Sequence, residues 1–137
     1  MTYLDLQWFD KPACRLPEAY WMSFVPCSKP SGAWLFDKLG EPVSPTDVVL
    51  RGGRWLHAVG DGAYYEDSLG SFRLTTLDAA LIAPGKPSLL DFDMDHAPDL
   101  SGGVHVNLYN NIYGTNFPMW FQGSSRFRFR IDIGDQE

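Results

Sequence analysis

From Arg126 to Ile133 the chain alternates without a break. Phe127, Phe129, Ile131 and Ile133 fall on one side, and Arg126, Arg128, Arg130 and Asp132 on the other. Strict period two is the mark of a strand buried on one face, so those four apolar side chains are expected to face a core. The rest of the chain is punctuated to match. Its 13 Gly and 10 Pro interrupt most windows before a helix could complete three turns. Between the breaks lie short runs of strand character: Tyr3–Trp8, Tyr20–Val25, Trp34–Phe36, Asp47–Leu50, Arg54–Val59, Ala63–Glu66, Ser71–Leu77, Ala80–Ala83 and Val104–Tyr109. Gly60-Asp61-Gly62 between two of these runs predicts a hairpin. Leu16–Ala19, with Pro17 near its start, allows one turn of helix, short or absent. Many short strands with Gly/Pro turns predict a mainly β fold, an antiparallel sandwich or barrel-like sheet. At 137 residues the chain fits one domain, 1–137, with no repeat, linker or low-complexity run.

Charge narrows the partners. Eleven basic against 17 acidic side chains leave a formal charge of −6, a poor basis for gripping a phosphate backbone. Arg126, Arg128 and Arg130 read as a solvated face, so no nucleic-acid partner is expected. No apolar run approaches the ~20 residues of a membrane span, and no signal peptide is visible. A soluble chain is expected. Cys14 and Cys27 match no zinc or Cys-x-x-Cys pattern. A disulfide between them is open, and free thiols are the simpler expectation.

Gly103–Phe121 carries the densest chemical signal. It interleaves Asn107, Asn110, Asn111 and Asn116 with Tyr109, Tyr113, Phe117, Trp120 and Phe121. Amides offer paired donors and acceptors, and a buried amide without partners costs roughly 1–3 kcal/mol. Such a mixture suits a neutral, hydroxyl-rich ligand, because sugar hydroxyls pair with amides and a sugar C–H face packs on a ring. Asn residues that bond local backbone in turns would produce the same composition, and on composition alone the balance falls slightly to turns. If Val104, Val106 and Leu108 face the core, then His105, Asn107 and Tyr109 share the opposite face. The candidate ligand-binding residues are His105, Asn107, Tyr109, Asn110, Asn111, Asn116 and Trp120.

Other constellations are weaker. Asp91, Asp93 and Asp95 have EF-hand spacing, but His96 and Gly102 stand where Gly and Glu are required. Carboxylates on a solvated loop are the simpler reading. His57, His96 and His105 share no short motif, so no metal or cofactor is expected. No nucleophile elbow, phosphate loop or dinucleotide fingerprint occurs, and no catalytic residue is assigned. Glu18, amid apolar neighbours, has a setting that allows partial burial with Arg15 as its counter-ion, but a surface or structural pair is the default reading.

Three blocks carry a resemblance. They are Trp8-Phe-Asp-Lys-Pro-Ala-Cys-Arg-Leu-Pro-Glu-Ala-Tyr-Trp21, Thr76-Leu-Asp-Ala-Ala-Leu-Ile-Ala-Pro-Gly85, and Gly103–Phe121 with Arg126-Phe-Arg-Phe129. Together they resemble the C-terminal β-rich part of a family of large, uncharacterised proteins related to the zinc-dependent class II α-mannosidases, which are glycoside hydrolases. The resemblance implies a β-sandwich of the galactose-mutarotase-like or mannosidase C-terminal kind. It also implies a missing N-terminal α/β domain that would hold the metal site and the acid/base chemistry. No mannosidase metal ligand or nucleophile has a counterpart here. The implied function is that of an accessory β-domain beside a glycan site, not catalytic alone. A stand-alone carbohydrate-binding module and a purely structural docking domain are the alternatives.

Overall fold

A computed structural model describes residues 1–25, 32–113 and 119–135, with the side chain of residue 135 excepted. Ten strands among these residues follow in chain order: β1 Thr2–Lys11, β2 Ala19–Phe24, β3 Ala33–Lys38, β4 Glu41–Val43, β5 His57–Ala58, β6 Gly62–Asp67, β7 Gly70–Thr76, β8 Leu81–Pro84, β9 Val104–Asn110 and β10 Gly123–Asp135. They form two antiparallel sheets. The larger has the order β1-β10-β7-β6-β3-β4 and the smaller β2-β9-β8-β5. The expected antiparallel sandwich is the observed architecture, and Leu16–Ala19 contains no helix.

Alternating patterns build the core. Leu4, Leu6 and Trp8 of β1 lean inward while Tyr3, Asp5, Gln7 and Phe9 are exposed. Phe127 and Phe129 of β10 are buried with Trp34, Phe36, Ala63, Leu74, Ile82, Val104 and Val106. Rings interlock across and within the layers: Phe24 of the smaller sheet meets Phe129 of the larger edge-on at 5.7 Å, and Trp34 meets Phe72 within the larger sheet at 6.0 Å. Each such contact adds to the area term that dominates folding.

Ile133 departs from its expected place. It is 72% exposed, whereas Phe129 is fully buried. Strand β10 runs 13 residues, while no strand of the smaller sheet exceeds 7. The alternation therefore continues past the part of the strand that the smaller sheet covers. On the outer face of β10 the arginines are matched by carboxylates: Arg126 with Asp5, Arg128 with Asp78, and Arg130 with Asp132. Arg128 holds the Asp78 carboxyl down to about 2.

Two local expectations are corrected. Arg54–Val59 and Ala63–Glu66 do not form a hairpin. His57 and Ala58 pair with β8 in the smaller sheet, while Ala63 pairs with β3 and β7 in the larger. Gly60-Asp61-Gly62 is thus a crossing between layers. Gly62 makes it possible, because a Cβ there would lie 2.0 Å from the Leu74 carbonyl oxygen. The true hairpin is β6–β7, where Asp67 Oδ1 accepts from Leu69 N and Gly70 N at 2.8 and 3.2 Å. Asp47–Leu50 is not a strand either. Ser44 and Thr46 bond each other and the local backbone, Asp47 N donates to Ser44 O at 3.0 Å, and Arg51 adopts φ +60°. Short polar side chains here outcompete a ladder.

Candidate functional site

Strand β9 shows how the chain treats its amides. Val104 and Val106 enter the core as expected, and His105 and Asn107 point to the other face. That face is not open, however: His105 and Asn107 are each only 6% exposed. His105 Nδ1 lies 2.7 Å from Ser23 Oγ. Its Nε2 is buried without a hydrogen-bond partner, and the backbone of Gly85 and Gly102 lies close to the ring. Burial pushes the imidazole below its ordinary value.

Asn107 serves an irregularity in the sheet. The β2–β9 register shifts between Tyr20 and Trp21, which pair with Tyr109 and Asn107 and leave Leu108 as the extra residue. Asn107 Nδ2 donates to Tyr20 O and Tyr109 O, each at 3.3 Å, and its Oδ1 accepts from Asn110 Nδ2 at 2.8 Å. The amide thus supplies partners to backbone that the bulge takes off the ladder.

The bulge also re-aims Tyr109. Instead of continuing the row of His105 and Asn107, its ring lies 6.2 Å from Tyr20 and takes the Lys11 ammonium over its face at 5.1 Å. Lys11 belongs to β1 in the other sheet, so Tyr109 sits at the mouth between the layers. A file of rings leads from there into the core: Tyr20 to Trp8 at 5.4 Å, then Trp8 to Phe127 at 5.1 Å. The phenol of Tyr109 donates to Met119 O at 3.1 Å and accepts from Phe121 N at 3.0 Å, which fixes the start of the segment leading into β10.

The floor of the mouth is an ion pair. Lys11 Nζ lies 2.5 Å from Glu18 Oε1, with side chains only 10% and 16% exposed. Tyr20 donates its phenolic proton to Glu18 Oε2 at 3.3 Å. The carboxylate holds the Lys11 ammonium above its ordinary value. Glu18 is therefore partly buried rather than at the surface, and its counter-ion is Lys11 instead of Arg15. Arg15 turns outward and stacks on Trp120 at 4.7 Å.

Asn111 holds the near wall. Only 6% exposed, it accepts from Glu18 N at 2.6 Å and donates to Cys14 O and Leu16 O at 3.0 Å each. Cys14 is a free thiol directed at Leu16 O, and Cys27 lies outside the described residues. Around the rim, Tyr20, Trp120 and Phe121 are exposed, and Asn110 is half-buried.

Comparison of the chain with protein-family models, curated proteins and solved structures finds no match. The site must therefore be read from its own geometry.

Of the seven candidate residues, Tyr109, Asn110 and Trp120 reach the mouth. Asn107 and Asn111 support it from behind, and His105 lies further along β9 against Ser23. Asn116 lies outside the described residues. Lys11, Glu18, Tyr20 and Phe121 complete the site. Sequence reasoning did not include them among the ligand-binding residues because they converge from three separate segments.

Among the described residues no group of three or more His, Cys, Asp or Glu could hold a metal ion. The Asp91–Asp99 loop uses its carboxylates locally. Asp91 accepts from Asp93 N, and Asp93 from Asp95 N and His96 N. Asp91 also pairs with Lys86 at 3.0 Å. No helix among the described residues is long and apolar enough to cross a membrane.

Proposed function

We propose that the chain is a non-catalytic β-domain of a glycoside hydrolase-like protein, and that the mouth between its sheets lines a site for a neutral glycan. One observation carries this reading: the exposed ring of Tyr20 and the ring of Tyr109 flank a fixed ammonium and carboxylate, and exposed Phe121 continues the row from Tyr109. A sugar offers a C–H face to a ring and hydroxyls to such polar groups. Because Glu18 is held by Lys11 and Tyr20, it presents an acceptor without having to be ordered on binding, which lowers the entropic cost. The three sequence blocks that resemble α-mannosidase-related proteins support the same ligand class, and the first and third of them meet at this mouth.

A docking role without sugar has one specific observation in its favour. Asn107 and Asn111, two of the amides that suggested a ligand, bond to backbone. Titration of the 15N-labelled chain with mannose and mannobiose separates the two. The glycan reading expects shifts confined to Lys11, Glu18, Tyr20, Asn110 and Trp120, abolished by Trp120→Ala at unchanged melting temperature. Spectra unmoved by either sugar, with the same residues shifted by an α/β fragment of the parent, would leave docking as the function.

A further inference from the structure

Three of the four sheet edges are short or interrupted. Strand β4 has three residues and contains Pro42, and β5 has two. Strand β2 has six residues and a register shift. These are the usual defences of an exposed ladder. Strand β1 lacks them from Thr2 to Trp8. It is ten residues long and terminates its sheet, pairing only with β10 among the described residues. From Thr2 to Trp8 its register runs without a bulge, and the segment contains no Pro or Lys. Its one charge in that stretch, Asp5, is gripped by Arg126 through contacts of 2.5 to 3.1 Å. Its outer face ends in two unburied rings, Tyr3 at 65% and Phe9 at 72% exposure.

We propose that this edge pairs with the β1 edge of a second copy, antiparallel, about a two-fold axis at Leu6. The pattern of the strand is self-complementary in that register. On the outer face Tyr3 stands opposite Phe9 of the copy, and Asp5 opposite Gln7. On the inner face Leu4 stands opposite Trp8 and Leu6 opposite itself. Each aromatic and amide–carboxylate pair occurs twice, as an isologous contact requires. Gln7 already donates to Asp5 within one chain at 3.1 Å, and the pairing offers it a second carboxylate across the axis. Sliding the register by two residues in one direction sets Asp5 against Asp5. Sliding it in the other sets Asp5 against Phe9. The pairing ends just after Phe9, where β1 turns away at Asp10, φ +51°, within the irregularity between Trp8 and Lys11. The two larger sheets then become one continuous sheet through the dimer.

Sedimentation velocity over a concentration series up to millimolar tests the proposal, with circular dichroism to confirm folding. Wild type is expected to double its mass. Tyr3→Lys with Phe9→Lys places two ammonium groups opposite each other twice, and should weaken association by roughly tenfold or more. Tyr3→Lys with Phe9→Glu places opposite charges together in the same register and should restore it. Both pairs change only exposed positions. A monomeric wild type across the series overturns the proposal and leaves the edge to a strand of a different chain. Equal behaviour of the two double variants overturns it as well, because the register would be wrong.

Discussion

Glu18 and Asn111 grip each other twice where the β2–β9 pairing of the smaller sheet begins. Glu18 N donates to Asn111 Oδ1 at 2.6 Å, and Asn111 N donates to Glu18 O at 3.1 Å. The remaining Asn111 donors reach the carbonyls of Cys14 and Leu16. One buried amide thus sets the path of the β1–β2 connection and, through it, the position of the Glu18 carboxylate.

Asn111→Ala is expected to destabilise the chain by roughly 2–4 kcal/mol, since it leaves one backbone donor and two acceptors without their partner. Asn111→Asp should be at least as damaging, because it puts a carboxylate against two carbonyls. Urea unfolding measures both. A loss below about 0.5 kcal/mol for the alanine variant would mean that water replaces the amide without cost.

Phe129 and Ile133 should separate sharply despite sharing one alternating pattern. Phe129→Ala removes a fully buried ring and is expected to cost about 3–5 kcal/mol. Ile133→Ala removes exposed surface and should stay within about 0.5 kcal/mol of wild type. Comparable losses at both positions would show that the end of β10 is covered in solution.

Gly103 and Gly53 form a second contrast. Gly103 has φ +82°, and a Cβ on it would lie 2.3 Å from the Phe24 carbonyl oxygen. Gly53 has open space around it. Gly103→Ala is expected to cost more than about 2 kcal/mol, because it combines backbone strain with overpacking. Gly53→Ala should be neutral or stabilising by about 0.4–1 kcal/mol through the unfolded chain. Thermal unfolding of the two variants provides the check.

Acid should weaken the fold before its carboxylates titrate. Burial lowers the folded-state values of His57 and His105 below 6.5. Between those lowered values and 6.5 the unfolded chain binds protons that the folded chain does not. Stability therefore rises with pH across that window and is lost as pH falls through it. A second loss follows as pH drops from 3.8 toward 2, where Asp78 is protonated in the folded state too. Urea midpoints measured from pH 8 to pH 4 should fall below about pH 6.5. His105→Gln should flatten part of that fall, and an unchanged slope in this variant would remove His105 from the account.

Local pattern made some of this architecture legible. Period two in β1 and β10 marks inward and outward faces because successive side chains of a strand must oppose each other. Gly and Pro breaks marked the strands well enough to exclude a helical fold. The same logic misplaced Asp47–Leu50, whose β-branched residues read as a strand although Ser44 and Thr46 bind the backbone first.

Sequence by itself determined the fold class, the one-sided strands and the chemical character of the amide-rich segment, since these follow from side-chain type and spacing. Tertiary structure decided the rest. Gly60-Asp61-Gly62 has the form of a hairpin turn, and only the packing of two layers makes it a crossing. The end of the Arg126–Ile133 pattern is set by how far the opposite sheet extends, which no residue of β10 encodes. A single extra residue at Leu108 turned Tyr109 away from His105 and Asn107 and toward Lys11. The site is assembled from Lys11, Glu18, Tyr20, Tyr109 and Trp120, and their proximity comes from the register of four segments, a property that period and spacing within any one of them do not contain.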